Sequence, residues 1–160
     1  MRQRKETTDE TLSEHVHPPA GHLPPAGVSP AAAVERPMAL TGSGNATLNP
    51  DGSGGTTIAS GTATHLGKWT EEGVLTFTAT SDPNLILANG EGTFTATDGD
   101  QLFTTITDAV LDLTTGIATG AFVFVGGTGR FEGASGSIDF VVNQDPAGPF
   151  DVTAVGTIDF

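Results

Sequence analysis

The glycine-rich stretch at residues 126–137, GGTGRFEGASGS, is the first candidate for a chemical role. Loops of this kind bind phosphate when their glycines follow a dinucleotide spacing, or when a lysine follows them at the start of a helix. The spacing that begins at Gly127 and Gly129 needs a third glycine at the position of Glu132. No lysine or helical pattern follows either. The stretch therefore does not predict a phosphate site.

The same loop is better interpreted as the connection between two β-strands. We expect Gly126, Gly127 and Gly129 to reverse the chain with positive φ, which glycine adopts without steric cost. Phe131 is then expected to return into the core, while Arg130 faces outward or pairs with one of the many acidic residues. This interpretation gives the loop a structural role.

Two ionisable residues after residue 37 are candidates for acid–base chemistry. His65 is the only histidine in this part of the chain, and it alternates onto one face with small residues. An imidazole there could act as a general base or polarise a ligand carbonyl; alternatively, its ring only satisfies backbone or threonine groups. Glu91 would be the best single acid for catalysis if it were buried.

Metal binding is not predicted from the carboxylates or the histidines. Asp51, Asp98 and Asp100 lie in glycine-containing stretches, but they lack the series of oxygen ligands that a calcium loop requires. We expect them in hairpin turns. The three N-terminal histidines have no carboxylate or thiol at zinc-site spacing, and the chain has no cysteine. We therefore predict neither a metal nor a cofactor.

Aromatic side chains are the candidates for contacts with an apolar ligand. The sequence contains one tryptophan and no tyrosine. Trp69 is expected to plug the core or to lie at its rim. The ligand-binding candidates are Trp69, Phe94, Phe122 and Phe124.

The charge of the chain excludes several classes of partner. Its formal net charge is −13, and residues 38–160 contain fourteen acidic residues against only Lys68 and Arg130. Such a surface cannot neutralise phosphates, so nucleic acid and anionic membranes are not expected as partners. The acidity itself is typical of solubility or of a saline habitat. No apolar stretch is long enough to span a bilayer.

From Met38 onward, segments of about ten residues alternate with turns rich in Gly, Asn, Asp and Pro. This spacing predicts about eight strands and no helix, and hence an all-β barrel or sandwich. Period-two alternation is clearest from Phe150 to Phe160 and from Ile138 to Val142. Because the chain ends inside a strand, we expect the last strand to close onto an earlier one.

Residues 121–125, AFVFV, are apolar on both faces of their predicted strand. The outer face of such a strand needs a cover, which could be a loop, a short helix or another subunit. The sequence thus predicts a homo-oligomer contact through residues 121–125.

Residues 1–37 differ from the rest in composition. They are rich in proline and alanine and poor in bulky apolar groups, which predicts a disordered arm before a domain at residues 38–160. The first residues are basic, but no hydrophobic segment follows them, so a signal peptide is not predicted from the sequence as written. Localisation stays open.

The run FVFVGGTGRFEGASGSIDF resembles the segment shared by allene oxide cyclases and dirigent proteins. In those families a strand leads into a glycine loop containing phenylalanine, and small residues precede the next strand. GTATHLGKWTEEG and FTATDGDQLF resemble motifs of bacterial, often exported barrel proteins of unassigned activity. The resemblance covers roughly residues 56–144. It implies an eight-stranded antiparallel, up-and-down, calycin-like β-barrel.

The resemblance implies activity less specifically than fold. The cyclases are thought to use a buried acidic residue in a hydrophobic, aromatic-lined cavity, and dirigent proteins paired aspartates with an arginine near the pocket. Neither set aligns residue by residue with this chain. We therefore expect a non-catalytic barrel that binds a small apolar ligand. The alternatives are a cofactor-free cyclase or isomerase acting through shape, and a structural or adhesive oligomeric domain.

Overall fold

The computed structural model describes residues 34–160, which form a closed barrel of eight antiparallel strands. The strands are β1 (Arg36–Leu48), β2 (Gly54–Ala63), β3 (Gly67–Ala79), β4 (Leu85–Ala96), β5 (Gln101–Asp112), β6 (Ile117–Gly127), β7 (Ser135–Gln144) and β8 (Pro149–Asp159). Each strand pairs with its neighbours in the chain, and β8 closes the barrel on β1. The predicted up-and-down barrel is confirmed.

The barrel begins slightly before the predicted boundary at Met38, because Arg36 already pairs with Ile158 of β8. Most of the predicted disordered arm, including all three of its histidines, falls within residues 1–33, which lie outside the described residues. No helix in the described part of the chain is long and apolar enough to cross a membrane.

Period-two alternation positions the side chains as the sequence predicted in β7 and β8. Val152, Ala154 and Ile158 are buried in the interior, while Asp151 and Thr153, which alternate with Val152 and Ala154, are exposed. Alternation is enough to form the wall because each inward residue removes apolar surface from water while its neighbours stay hydrated.

The two ends of the barrel differ. We call one the closed end; its connections span residues 64–66, 97–100 and 128–134, and the bulky side chains packed there are almost fully buried. They are Met38, Leu66, Trp69, Leu102, Phe131 and Ile158. The other, which we call the open end, carries the connections at residues 49–53, 80–84, 113–116 and 145–148.

The glycine loop between β6 and β7 forms part of the closed end. It contains a single 3-10 turn, Gly129–Phe131, whose Phe131 has no exposed surface. Gly126 and Gly129 have positive φ (118° and 57°), as predicted. The prediction was wrong for Gly127, which is not in the positive-φ region. A Cβ at Gly127 would instead collide with the Gln101 carbonyl oxygen and with the Phe131 side chain, so glycine is needed there for close approach.

Arg130 links three connections at the closed end. Its guanidinium is paired with the carboxylates of Asp98 and Asp100, and Nη2 donates to the His65 carbonyl at 3.2 Å. Asp98 and Asp100 belong to the connection between β4 and β5, and His65 to that between β2 and β3. The Arg130 hydrogen bond lowers the pKa of the exposed Asp98. Arg130 therefore has a structural role.

Strand β6 is apolar on both faces, but only one face is covered. Phe124 points into the core, whereas the outward Val123 and Val125 are 41% and 57% exposed. No loop or helix in residues 34–160 packs over them, so the covers expected from within this part of the chain are absent.

Candidate functional site

An apolar cavity of about 390 Å³ enters the barrel from the open end. Its inner limit is a continuous set of aromatic rings. Successive ring centroids lie 5.1 Å apart (Trp69 and Phe94), 5.4 Å apart (Phe94 and Phe122) and 4.6 Å apart (Phe122 and Phe140). Closer to the opening, its walls include Leu75, Phe77, Ile86, Ile106, Leu111, Val142 and Phe150. The interior is thus filled at one end and hollow at the other.

Glu71 is the acidic side chain inside this cavity. It lies on the inward face of β3 between Trp69 and Gly73, and it is paired in register with Ala59 and Phe94 of the neighbouring strands. The carboxylate is therefore deep, directly above the aromatic floor. The rest of the lining around it is largely apolar.

One hydroxyl group binds the Glu71 carboxylate, and two glycines leave room for it. Thr57 Oγ1 donates a hydrogen bond of 3.1 Å to Glu71 Oε1. A Cβ at Gly73 would collide with Oε1, and one at Gly92 would lie only 3.0 Å from it. The glycines thus leave the recess that the carboxylate occupies. Beside it, the buried Thr104 donates its hydroxyl to the Gly92 carbonyl at 3.1 Å.

The environment of Glu71 changes its acidity. Burial raises the pKa of Glu71 to about 7, because an apolar cavity disfavours the charged form. The Thr57 hydrogen bond opposes this rise, and repulsion from the neighbouring Glu72 adds to it. Near neutral pH, Glu71 can therefore either donate or accept a proton.

Four aspartates surround the open end, one for each of its connections. In each, the carboxylate accepts a backbone N–H two residues later, which caps a short turn. The pairs are Asp51 with Ser53 (3.0 Å), Asp82 with Asn84 (2.9 Å), Asp112 with Thr114 (2.8 Å) and Asp145 with Ala147 (2.7 Å). Hydrogen bonds from Ser53 and Thr114 lower the pKa values of Asp51 and Asp112. We call these four residues the aspartate rim.

The two ionisable candidates from the sequence do not point into the cavity. His65 lies in the connection between β2 and β3 with φ of 70°; its Nε2–H donates to the Pro37 carbonyl at 3.1 Å, and its ring packs against Phe160. Glu91 is among the residues that border the cavity, but it is exposed and paired with the exposed Val74, which places its side chain on the outer face of the barrel. Glu91 was a candidate acid only if it was buried, and it is not buried.

Of the four aromatic candidates, Trp69, Phe94 and Phe122 line the cavity. Phe124 is buried nearer the closed end and does not line it. The indole N–H of Trp69 is fully buried and has no hydrogen-bond partner in residues 34–160.

Sequence reasoning missed Glu71, although a signal for it was present. In KWTEEGVLTF, period-two alternation places Glu71 on the same face as Trp69, Leu75 and Phe77. An acidic residue in register with three large apolar ones is the pattern that should have selected it.

Cation sites are not formed by these carboxylates. Within residues 34–160 no group of three or more His, Asp or Glu side chains is arranged to hold a metal ion. The aspartates paired with Arg130 lie at the closed end, away from the cavity.

Compared with models of known protein families and with curated protein sequences, the chain matches none. The resemblance to allene oxide cyclases and dirigent proteins therefore stays a prediction based on the quoted motifs.

Proposed function

We propose that this protein is a barrel that binds a small apolar molecule at its open end without transforming it. The observation that carries the proposal is the cavity of about 390 Å³ with its aromatic floor. Ligand pockets of proteins are typically concave, mostly apolar and roughly 300–1,000 Å³ in volume. A barrel of this size whose only purpose was structural would gain stability by filling this space with side chains.

The mouth of the cavity supports entry from solvent. Leu48 and Leu113, at the open end, are 60% and 51% exposed, and both line the cavity. Large apolar residues around an opening offer an arriving apolar molecule its first contacts. An apolar ligand that covers them would remove this surface from water.

The test uses the single tryptophan and a neutral apolar dye. We expect phenylnaphthylamine to bind the full-length protein in a one-to-one ratio and to quench Trp69 fluorescence, because Trp69 forms part of the floor. Ala118 lines the cavity, and Ala118→Phe should weaken the dye at least about tenfold by filling it. The neighbouring Thr119 is exposed on the outer face, so Thr119→Phe is the matched control. Equal binding by wild type and both variants, or no binding by wild type, contradicts the proposal.

A second candidate is a cofactor-free cyclase or isomerase. It is favoured by Glu71, an acid with a pKa of about 7 beside aromatic rings, which is the arrangement that the resemblance to the cyclases implies. The test is product analysis after incubation with a neutral polyene epoxide. This function predicts a product ratio different from that in buffer, lost in Glu71→Gln while dye binding is retained. Unchanged products with wild type count against it.

A structural or oligomeric role is a third candidate, favoured by the uncovered Val123 and Val125. A second copy of the chain could cover this face, as the sequence at residues 121–125 predicts. Sedimentation velocity tests it: the oligomer should dissociate in the double variant Val123→Lys and Val125→Lys. A monomeric wild type argues against this role.

A further inference from the structure

The positive charges of the described residues lie at one end of the barrel only. The cationic residues Arg36, Lys68 and Arg130 all lie at the closed end, and none of them lines the cavity. The open end carries the aspartate rim, whose Asp145 also borders the cavity. A molecule that enters the cavity therefore passes a negative opening and meets the inward-pointing Glu71 inside.

This arrangement discriminates between ligands by charge. A fatty-acid-like carboxylate would meet like charge at the rim and again at the ionised form of Glu71, with no cation in residues 34–160 positioned to pair with it. An ammonium group, in contrast, is attracted at the rim and would form an ion pair with Glu71. The adjacent rings of Trp69 and Phe94 add cation–π attraction.

We propose that the ligand of this cavity is a hydrophobic amine, whose ammonium group pairs with Glu71 while its apolar body extends towards the open end. The proposal rests on the proposed binding function and names the class of ligand. The depth of Glu71 sets the orientation, because the apolar walls at Leu75 and Phe77 lie between it and the opening.

Binding of an ammonium group should also release a proton. In the free protein near neutral pH, part of the population carries a protonated Glu71, and an ion pair requires the carboxylate. The proton passes from the Glu71 carboxyl to the buffer as the amine enters, so charge and atoms balance. Within residues 34–160 no other titratable side chain faces Glu71: β2 contributes Thr57 and Ala59, and β4 contributes Gly92 and Phe94. Glu72 points outward, Glu91 borders the cavity but is exposed on the outer face, and Asp145 lies at the rim.

The experiment compares three probes that share one apolar body: phenylbutylamine, phenylbutanol and phenylbutyrate. Isothermal titration of the full-length protein at pH 7 should give the tightest binding for the amine and the weakest for the carboxylate. We expect the amine to exceed the alcohol by at least about tenfold, which is the usual strength of a charge-assisted hydrogen bond. Repeating the titration in buffers of different ionisation enthalpy measures the proton released.

Two variants separate this inference from the proposed function. Glu71→Gln keeps the size of the side chain and should remove both the preference for the amine and the released proton, while the alcohol still binds. Glu72→Gln removes the same charge from the adjacent outward position. It should keep the preference for the amine and reduce the released proton only slightly, because repulsion from Glu72 is the smallest cause of the raised pKa of Glu71. If amine and alcohol bind equally to wild type, or if Glu71→Gln retains the preference, the inference is wrong although the cavity binds apolar molecules. Failure of all three probes and of the neutral dye rejects the proposed function itself.

Discussion

The closed and open ends of this barrel are made from the same eight strands, yet they have opposite characters. At the closed end the interior is filled by large side chains, and an arginine ties the connections together. At the open end the connections are short turns capped by aspartates, and the interior is hollow. A barrel of this size can therefore separate the residues that stabilise it from those that are free to bind.

The largest effect should come from truncating Phe131, which is fully buried at the closed end. We expect Phe131→Ala to lower the free energy of unfolding by about 3–5 kcal/mol, because it leaves a cavity in packed surroundings. Phe77→Ala is the matched change near the open end, where the ring already borders a cavity. Urea denaturation should show a loss less than half as large for Phe77→Ala. Equal losses would mean that the two ends do not differ in packing.

A smaller effect should appear in the pH dependence of stability. The folded-state pKa of Glu71, about 7, lies above its ordinary value of 4.5, so the folded state binds the proton more tightly. The stability from this group is fully present below about pH 4.5 and is lost as pH rises through about 7. Urea denaturation across pH 4.5–8 should therefore show a decline that is weaker in Glu71→Gln.

Glu72→Gln is the control for this pH dependence, because Glu72 points outward on the same strand. It should retain most of the decline seen in the wild type, because burial is the main cause of the raised pKa of Glu71 and repulsion from Glu72 the smallest. A Glu71→Gln variant with the wild-type pH dependence would show that the cavity does not perturb this carboxyl.

The smallest effect should come from Arg130, whose side chain is one-third exposed. We expect Arg130→Gln to cost about 1 kcal/mol or less, since ion pairs near the surface are worth little. Lys68→Gln removes a charge from the same end, but Lys68 makes no ion pair with the described residues. In thermal denaturation, the melting temperatures of the two variants should differ at low salt and become more similar at high salt. Identical curves would show that Arg130 does not hold the connections.

The sequence was sufficient to predict the barrel because alternation and turn residues are local signals. The inward positions of Val152 and Ile158, and the turn at Gly126 and Gly129, required no knowledge of distant residues. Gly127 was misinterpreted because its constraint is contact with Phe131, which only the folded loop brings close.

The cavity could not be predicted in the same way. Whether a barrel interior is filled depends on which connections fold over which end, and that is decided by tertiary packing. The irregularities in β4 and β5 are of the same kind: Asp108 has φ of 51° because a bulge is formed there, with its N–H donating to the Asn89 side chain. Alternation alone could have placed Glu71 on the inward face of β3, but its raised pKa depends on burial in the cavity.

The pairing of β8 with β1 has a consequence for how the chain folds. Seven of the eight strand pairings join neighbours in the chain and can form as hairpins, whereas β1 and β8 must meet across the whole domain. We expect this seam to be completed last, leaving two unpaired edges on the nascent sheet until then. Pulsed hydrogen exchange during refolding should protect amides of the β6–β7 hairpin before those between Leu40 and Ala154. Simultaneous protection would instead mean that the barrel closes in one concerted step.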